Sequence, residues 1–111
     1  MESGALLHVT SRDFEKEVLQ SEIPAVVDFY ADWCGPCRMV SPVIEALSKQ
    51  YSGKVKFVKL DTDANQDLAI KYQVMSIPTV MVFKRGQVIE RFVGAAPASF
   101  YKQKIDAVLA A

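Results

Sequence analysis

Residues 25–50 read AVVDFYADWCGPCRMVSPVIEALSKQ. The first seven, AVVDFYA, are almost wholly apolar and β-favouring, the pattern of a strand buried on both faces of a sheet. From about residue 34 to 50 the apolar side chains of Val40, Ile44 and Leu47 keep the spacing of one helix face. Pro42 lies inside that stretch and is expected to kink it. A buried strand therefore runs through a short connection into a helix. Both cysteines of the chain, Cys34 and Cys37, sit at the joint.

The same alternation extends in both directions. Residues 6–9 form a short apolar strand candidate. Thr10 is a predicted N-cap with Asp13 three residues on, and Phe14 and Val18 share one face of the helix that follows. Ser21, Glu22, Ile23 and Pro24 end it. Downstream, residues 55–61 read as a strand, and residues 63–65 offer caps for a short helix over 66–72. Residues 79–84 (TVMVFK) are a further apolar strand. Arg85-Gly86 is a predicted hairpin turn, and residues 88–93 are the return strand. Gly94 breaks that strand. Pro97 suits the first turn of a last helix, where Tyr101, Ile105, Val108 and Leu109 are expected on one face. The order is βαβαβαββα, an α/β fold with a central mixed sheet flanked by helices. No repeat, linker or low-complexity tract interrupts the chain, so residues 1–111 are expected to form a single domain.

The totals exclude several functions. At 111 residues, half of them apolar, the chain can bury a core without staples. Its 13 basic and 13 acidic residues cancel, and no basic block supports a nucleic-acid partner. No apolar run is long enough to span a bilayer, so no membrane role is expected. Met1, Glu2, Ser3 and Gly4 lack the charge and apolar run of a signal peptide, and a cytoplasmic monomer is the default expectation.

Two cysteines and one histidine, His8, cannot complete the usual four ligands of a zinc site. A purely structural bridge between Cys34 and Cys37 closes so short a loop that it stabilises by only about 2 kcal/mol. Redox chemistry suits the placement better. A helix N-terminus carries unpaired N–H groups and partial positive charge, which stabilise a thiolate at Cys34. An ordinary thiol is only about 3% ionised at pH 7. A pKa near ambient pH makes about half of it thiolate, where attack is most effective. Cys37, one turn in, can reach Cys34 and resolve a mixed disulfide. Pro36 presets the turn, and Gly35 lets a partner approach closely. Gly35-Pro36 adds no charge to stabilise the thiolate further, which points to a reductant.

Asp28 interrupts the apolar strand. A carboxylate there either reaches solvent at the strand edge or is buried with a raised pKa, able to exchange protons with a neighbouring thiol. By position alone, Lys59 in VKFVKLD is a solvated strand residue, and His8 a surface or packing residue. Met75 reads equally as soft contact surface or core filler.

Taken together, residues 26–47, VKLDTD (58–63), SIPTVMVFKRGQ (76–87) and FVGA (92–95) resemble the thioredoxin family in order and spacing over nearly the whole chain. The resemblance implies a thioredoxin fold and a protein-disulfide reductase. Cys34 would attack, Cys37 resolve, and Asp28, six residues before Cys34, exchange protons with Cys37. Lys59 would neighbour Asp28. Ile77-Pro78 would be a cis bond facing the cysteines, with the Ile77 backbone pairing an extended substrate segment. Trp33, Gly35, Pro36, Ile77, Pro78, Val93, Gly94 and Ala95 would make an apolar docking patch. The implied partners are disulfide-containing proteins and a thioredoxin reductase, and no cofactor beyond the Cys34–Cys37 disulfide is implied. Tyr30, Arg38 and Thr62 depart from common family choices without removing a reacting group. Two other uses of the frame stay open: a redox-independent binding subunit, and an oxidising or isomerising relative.

Overall fold

The computed structural model describes residues 6–111. The reading of Met1, Glu2, Ser3 and Gly4 lies outside the described residues. In chain order the elements are β1 (Leu7–His8), α1 (Glu15–Leu19), β2 (Ala25–Tyr30), α2 (Gly35–Gln50), β3 (Lys56–Asp61), α3 (Gln66–Lys71), β4 (Thr79–Lys84), β5 (Gln87–Val93) and α4 (Ala98–Ala110). This is the expected βαβαβαββα order.

The five strands form one mixed sheet in the order β1-β3-β2-β4-β5. β1, β3 and β2 run parallel, whereas β4 and β5 are antiparallel additions. β2 is central, which explains why AVVDFYA is apolar on both faces. Successive side chains of a strand point to opposite sides. Val26 accordingly packs with Val40, Ile44, Leu47, Phe57, Val80, Tyr101 and Ile105 under α2 and α4. Val27 and Phe29 pack with Phe14, Val18, Val58, Leu68, Met81 and Phe83 on the other face. Each such side chain contributes roughly 1.5–3 kcal/mol on burial.

Several boundaries differ from the sequence reading. β1 is only two residues long because it is an edge strand pairing with β3 alone, after which Val9 turns inward. The helix expected from Thr10 becomes regular only at Glu15. Residues 11–13 form a turn held by the Thr10 N–H donating to Asp13 Oδ1 at 2.7 Å. The Gln20 N–H then donates to the Glu15 carbonyl at 2.9 Å, a π-type i to i+5 bond. Residues 63–65 give α3 no side-chain cap. Asn65 accepts instead from the Ser11 N–H at 2.9 Å and donates to the Asp61 carbonyl at 2.9 Å, tying this corner to the segment after β1. Pro97 is the N-cap of α4 rather than its first helical residue. Leu109 is exposed, although Tyr101, Ile105 and Val108 are buried. Eight residues beyond Tyr101, it falls at the margin of the apolar stripe.

The Arg85-Gly86 turn forms as expected, with φ of 53° and 80°. Gly86 is required twice over. Its φ disfavours a side chain, and a Cβ there would stand 3.2 Å from the Leu19 carbonyl oxygen. α2 runs through Pro42 without a break.

Candidate active site

The site begins where β2 ends. Tyr30 closes the strand, a short turn follows, and Cys34 takes the N-cap of α2 with φ −86° and ψ 112°. Pro36 lies in the first turn and has no N–H to donate. The Cys37 N–H, one of the helix's unpaired donors, points back and donates to Cys34 Sγ at 3.2 Å. The geometry thus puts a backbone donor on the sulfur whose thiolate the helix end favours. Cys34 and Cys37 are joined as a disulfide with a Cα–Cα distance of 5.3 Å. Both are buried among Ala31, Tyr30 and Ile77. Only Cys34 lines the neighbouring groove.

That groove is open and has a volume of about 470 Å³, lined by Trp33, Cys34, Gly35, Pro36, Thr62, Val74, Met75, Ser76 and Ile77. No lining residue carries a charge. The Ile77-Pro78 bond is cis, and the Ile77 carbonyl oxygen lies 3.7 Å from Cys34 Sγ. Gly35 has open space where a Cβ would stand. Trp33 is 69% exposed, and its indole N–H donates to Asp63 Oδ2 at 2.8 Å, so the ring is pinned over the rim. Met75 is 92% exposed at the groove wall, which removes the core-filler reading. Behind the cysteines, the Arg38 guanidinium donates to the Asp32 carbonyl at 3.0 Å and braces the turn before Cys34.

The structure therefore brings together Trp33, Cys34, Gly35, Pro36 and Ile77. Val93, Gly94 and Ala95 do not line the groove. Gly94, at φ 94°, donates its N–H to the Pro78 carbonyl at 2.8 Å, which ties that loop to Pro78. Val93 is exposed there.

Asp28 is fully buried in β2, and neither carboxylate oxygen has a hydrogen-bond partner. Burial pushes its pKa up to about 6, and the Lys59 charge partly opposes the rise. The strand-edge reading is thus excluded. Lys59 lies directly opposite Asp28 in the parallel β2–β3 register. Its ammonium, however, stands 4.2 Å over the Tyr30 ring and forms no contact ion pair with the carboxylate. A cation over an aromatic face keeps its attraction while its tip stays near water. His8 is exposed at the sheet edge.

Sequence reasoning missed Asp63 as the acceptor for Trp33, and Val74 and Ser76 as groove walls. Nothing local signals the first contact, because 30 residues separate the partners. Among the described residues, no group of three His, Cys, Asp or Glu could hold a metal ion. No helix there is long and apolar enough to cross a membrane.

Residues 5–107 match the family model described as thioredoxin. A thioredoxin of Synechocystis is 50% identical over 106 residues, covering 96% of this chain and 99% of that protein. Thioredoxin 1 of Nostoc is 48% identical, covering 93% of this chain and 96% of the other. A thioredoxin of Haemophilus influenzae is 45% identical, covering 90% and 97%.

Proposed function

The chain belongs to the thioredoxin family and is a protein-disulfide oxidoreductase working through the Cys34–Cys37 pair alone, without a further cofactor; from that premise we propose that it is a general cytoplasmic reductant of protein disulfides, recharged by a thioredoxin reductase. Its substrates are disulfide-containing proteins. The observation that carries the direction and division of labour is the placement of Cys34. It is the one cysteine on the groove, at the helix N-cap, with the Cys37 N–H on its sulfur.

In the reduced protein the Cys34 thiolate attacks one sulfur of a substrate disulfide. The other substrate sulfur leaves as a thiolate and takes up a proton. Cys37 then gives its proton to the Asp28 carboxylate and attacks Cys34 Sγ. The second substrate sulfur leaves as a thiolate and takes up a proton, and the Cys34–Cys37 disulfide forms as the substrate pair gains two electrons. A raised pKa suits Asp28 to accepting a proton near neutrality. Trp33, Gly35, Pro36 and the Ile77 backbone hold the substrate segment in an uncharged groove. Pro78 holds the Ile77 end of the groove from within, and Val93, Gly94 and Ala95, tied to it, extend the docking surface outside the groove. Lys59 limits how far the pKa of Asp28 rises. No lysine, arginine or histidine lines the groove to stabilise the thiolate further, which supports a reducing poise.

The test is reduction of a model protein disulfide with excess dithiol. Wild type accelerates the reaction and Cys34→Ser does not; equal rates overturn the reading. Reoxidation by glutathione disulfide checks the direction. A pair that the reducing glutathione ratio of the cytosol holds as the dithiol, its potential lying well above the glutathione poise, speaks for an oxidising relative instead.

A further inference from the structure

Among the described residues, both carboxylate oxygens of Asp28 are buried without a hydrogen-bond partner, and the hydroxyl proton of Tyr101 is buried without an acceptor. They share one side of the sheet. Asp28 alternates with Val26 along β2, and Val26 lies in the same core layer as Tyr101, under α2 and α4. A cross-strand row on that face runs Lys59, Asp28, Val80, Phe92. The Phe92 ring meets the Tyr101 ring edge-on with centroids 6.2 Å apart. Tyr101 therefore stands over the row that contains Asp28 and is itself 1% exposed. Burial first, then the Asp28 charge, push the Tyr101 phenol pKa up, while a hydrogen bond donated by the Ala96 backbone N–H to the phenol oxygen works the other way.

A buried hydroxyl proton without an acceptor is costly, and phenylalanine would pack the same ring without that cost. Two polar groups buried in one apolar layer can offset each other's cost. A hydroxyl rotates freely about its bond and can aim its dipole. In low dielectric that dipole acts beyond contact distance. We propose that Tyr101 is a positioning residue for Asp28, its hydroxyl orienting toward the carboxylate from α4 and supporting the ionised form. Lys59 acts on Asp28 from β3, Tyr30 from two residues along β2, and the reduced Cys37 thiol from the first turn of α2, which packs on this strand. β4 contributes only the apolar Val80. Lys59 thus favours the carboxylate from the solvent side, and Tyr101 from within the core. The consequence for turnover rests on the reading of Asp28 as proton acceptor for Cys37; the effect on Asp28 itself does not.

The experiment follows the Asp28 carboxyl by carbon NMR through a pH titration of the oxidised protein, in wild type and in Tyr101→Phe. The midpoint is expected to rise by about half a unit or more in the variant. Tyr101→Leu, which keeps apolar bulk, is expected to move it the same way. An unchanged or lowered midpoint in these variants overturns the proposal. The pH profile of disulfide reduction is recorded alongside, with Asp28→Asn as background, where Tyr101→Phe is expected to have no further effect. If the midpoint rises and the wild-type rate profile does not follow, the coupling stands and the proton role of Asp28 falls.

Discussion

Asp28 and Lys59 face each other across β2 and β3, yet the lysine ammonium lies over the Tyr30 ring and the carboxylate keeps no hydrogen-bond partner. An acid so placed is uncomfortable when ionised, and its proton is held more tightly in the folded chain than in the unfolded one. Its pKa moves from 3.8 to about 6, with burial as the main cause and Lys59 opposing. The sign for stability follows. The folded state binds more protons between these values, so the stabilising effect of protonation is complete below pH 4 and is lost as pH rises through 6.

Asp28→Asn should therefore be more stable than wild type at pH 8 and gain little at pH 4. A shift of roughly two units corresponds to at most about 3 kcal/mol. Denaturant unfolding at the two pH values checks this. The same variant should slow disulfide reduction, most visibly where Cys37 must lose its proton.

Lys59→Met should raise the pKa of Asp28 further, because it removes the one charge that favours the carboxylate. An NMR titration of the Asp28 carboxyl reads the direction. A fall in the midpoint would show that Lys59 acts chiefly by admitting water.

Asp63→Ala releases the indole of Trp33. The expected effect is a KM for protein disulfides raised about two- to tenfold, on the scale of one hydrogen bond of about 0.5–1.5 kcal/mol. Reduction of a small disulfide, which needs less of the groove rim, should change less. Because Trp33 is the only tryptophan of the chain, its fluorescence reports the release directly.

Gly86→Ala places a side chain at φ 80° and against the Leu19 carbonyl. A loss of about 1–2 kcal/mol in thermal or denaturant unfolding is expected. Activity per folded molecule should be unchanged, since the turn is remote from the cysteine pair.

Much of the fold is legible in local pattern. The apolar run of β2, the Arg85-Gly86 turn and the helix after Cys34 each carry their own signal. Strand order does not, because β3 joins β2 through contacts that no periodicity records. The reacting pair is equally legible, since the cysteines and the helix start share one short segment. The surroundings are less so. Trp33 finds Asp63, Lys59 turns to Tyr30, and the Tyr101 hydroxyl is left inside the core, all through tertiary packing. Asp28 lies between these cases. Sequence flags a carboxylate in an apolar strand, and only the sheet around it decides burial against exposure.

The division of roles between the two cysteines is tested most directly by trapping. Cys37→Ser, reduced and mixed with a disulfide-containing protein, should accumulate a stable mixed disulfide, located at Cys34 by mass spectrometry of the digested adduct. Cys34→Ser under the same conditions should accumulate little or none. An adduct that forms faster through Cys37 in Cys34→Ser would contradict Cys34 as the attacking thiolate.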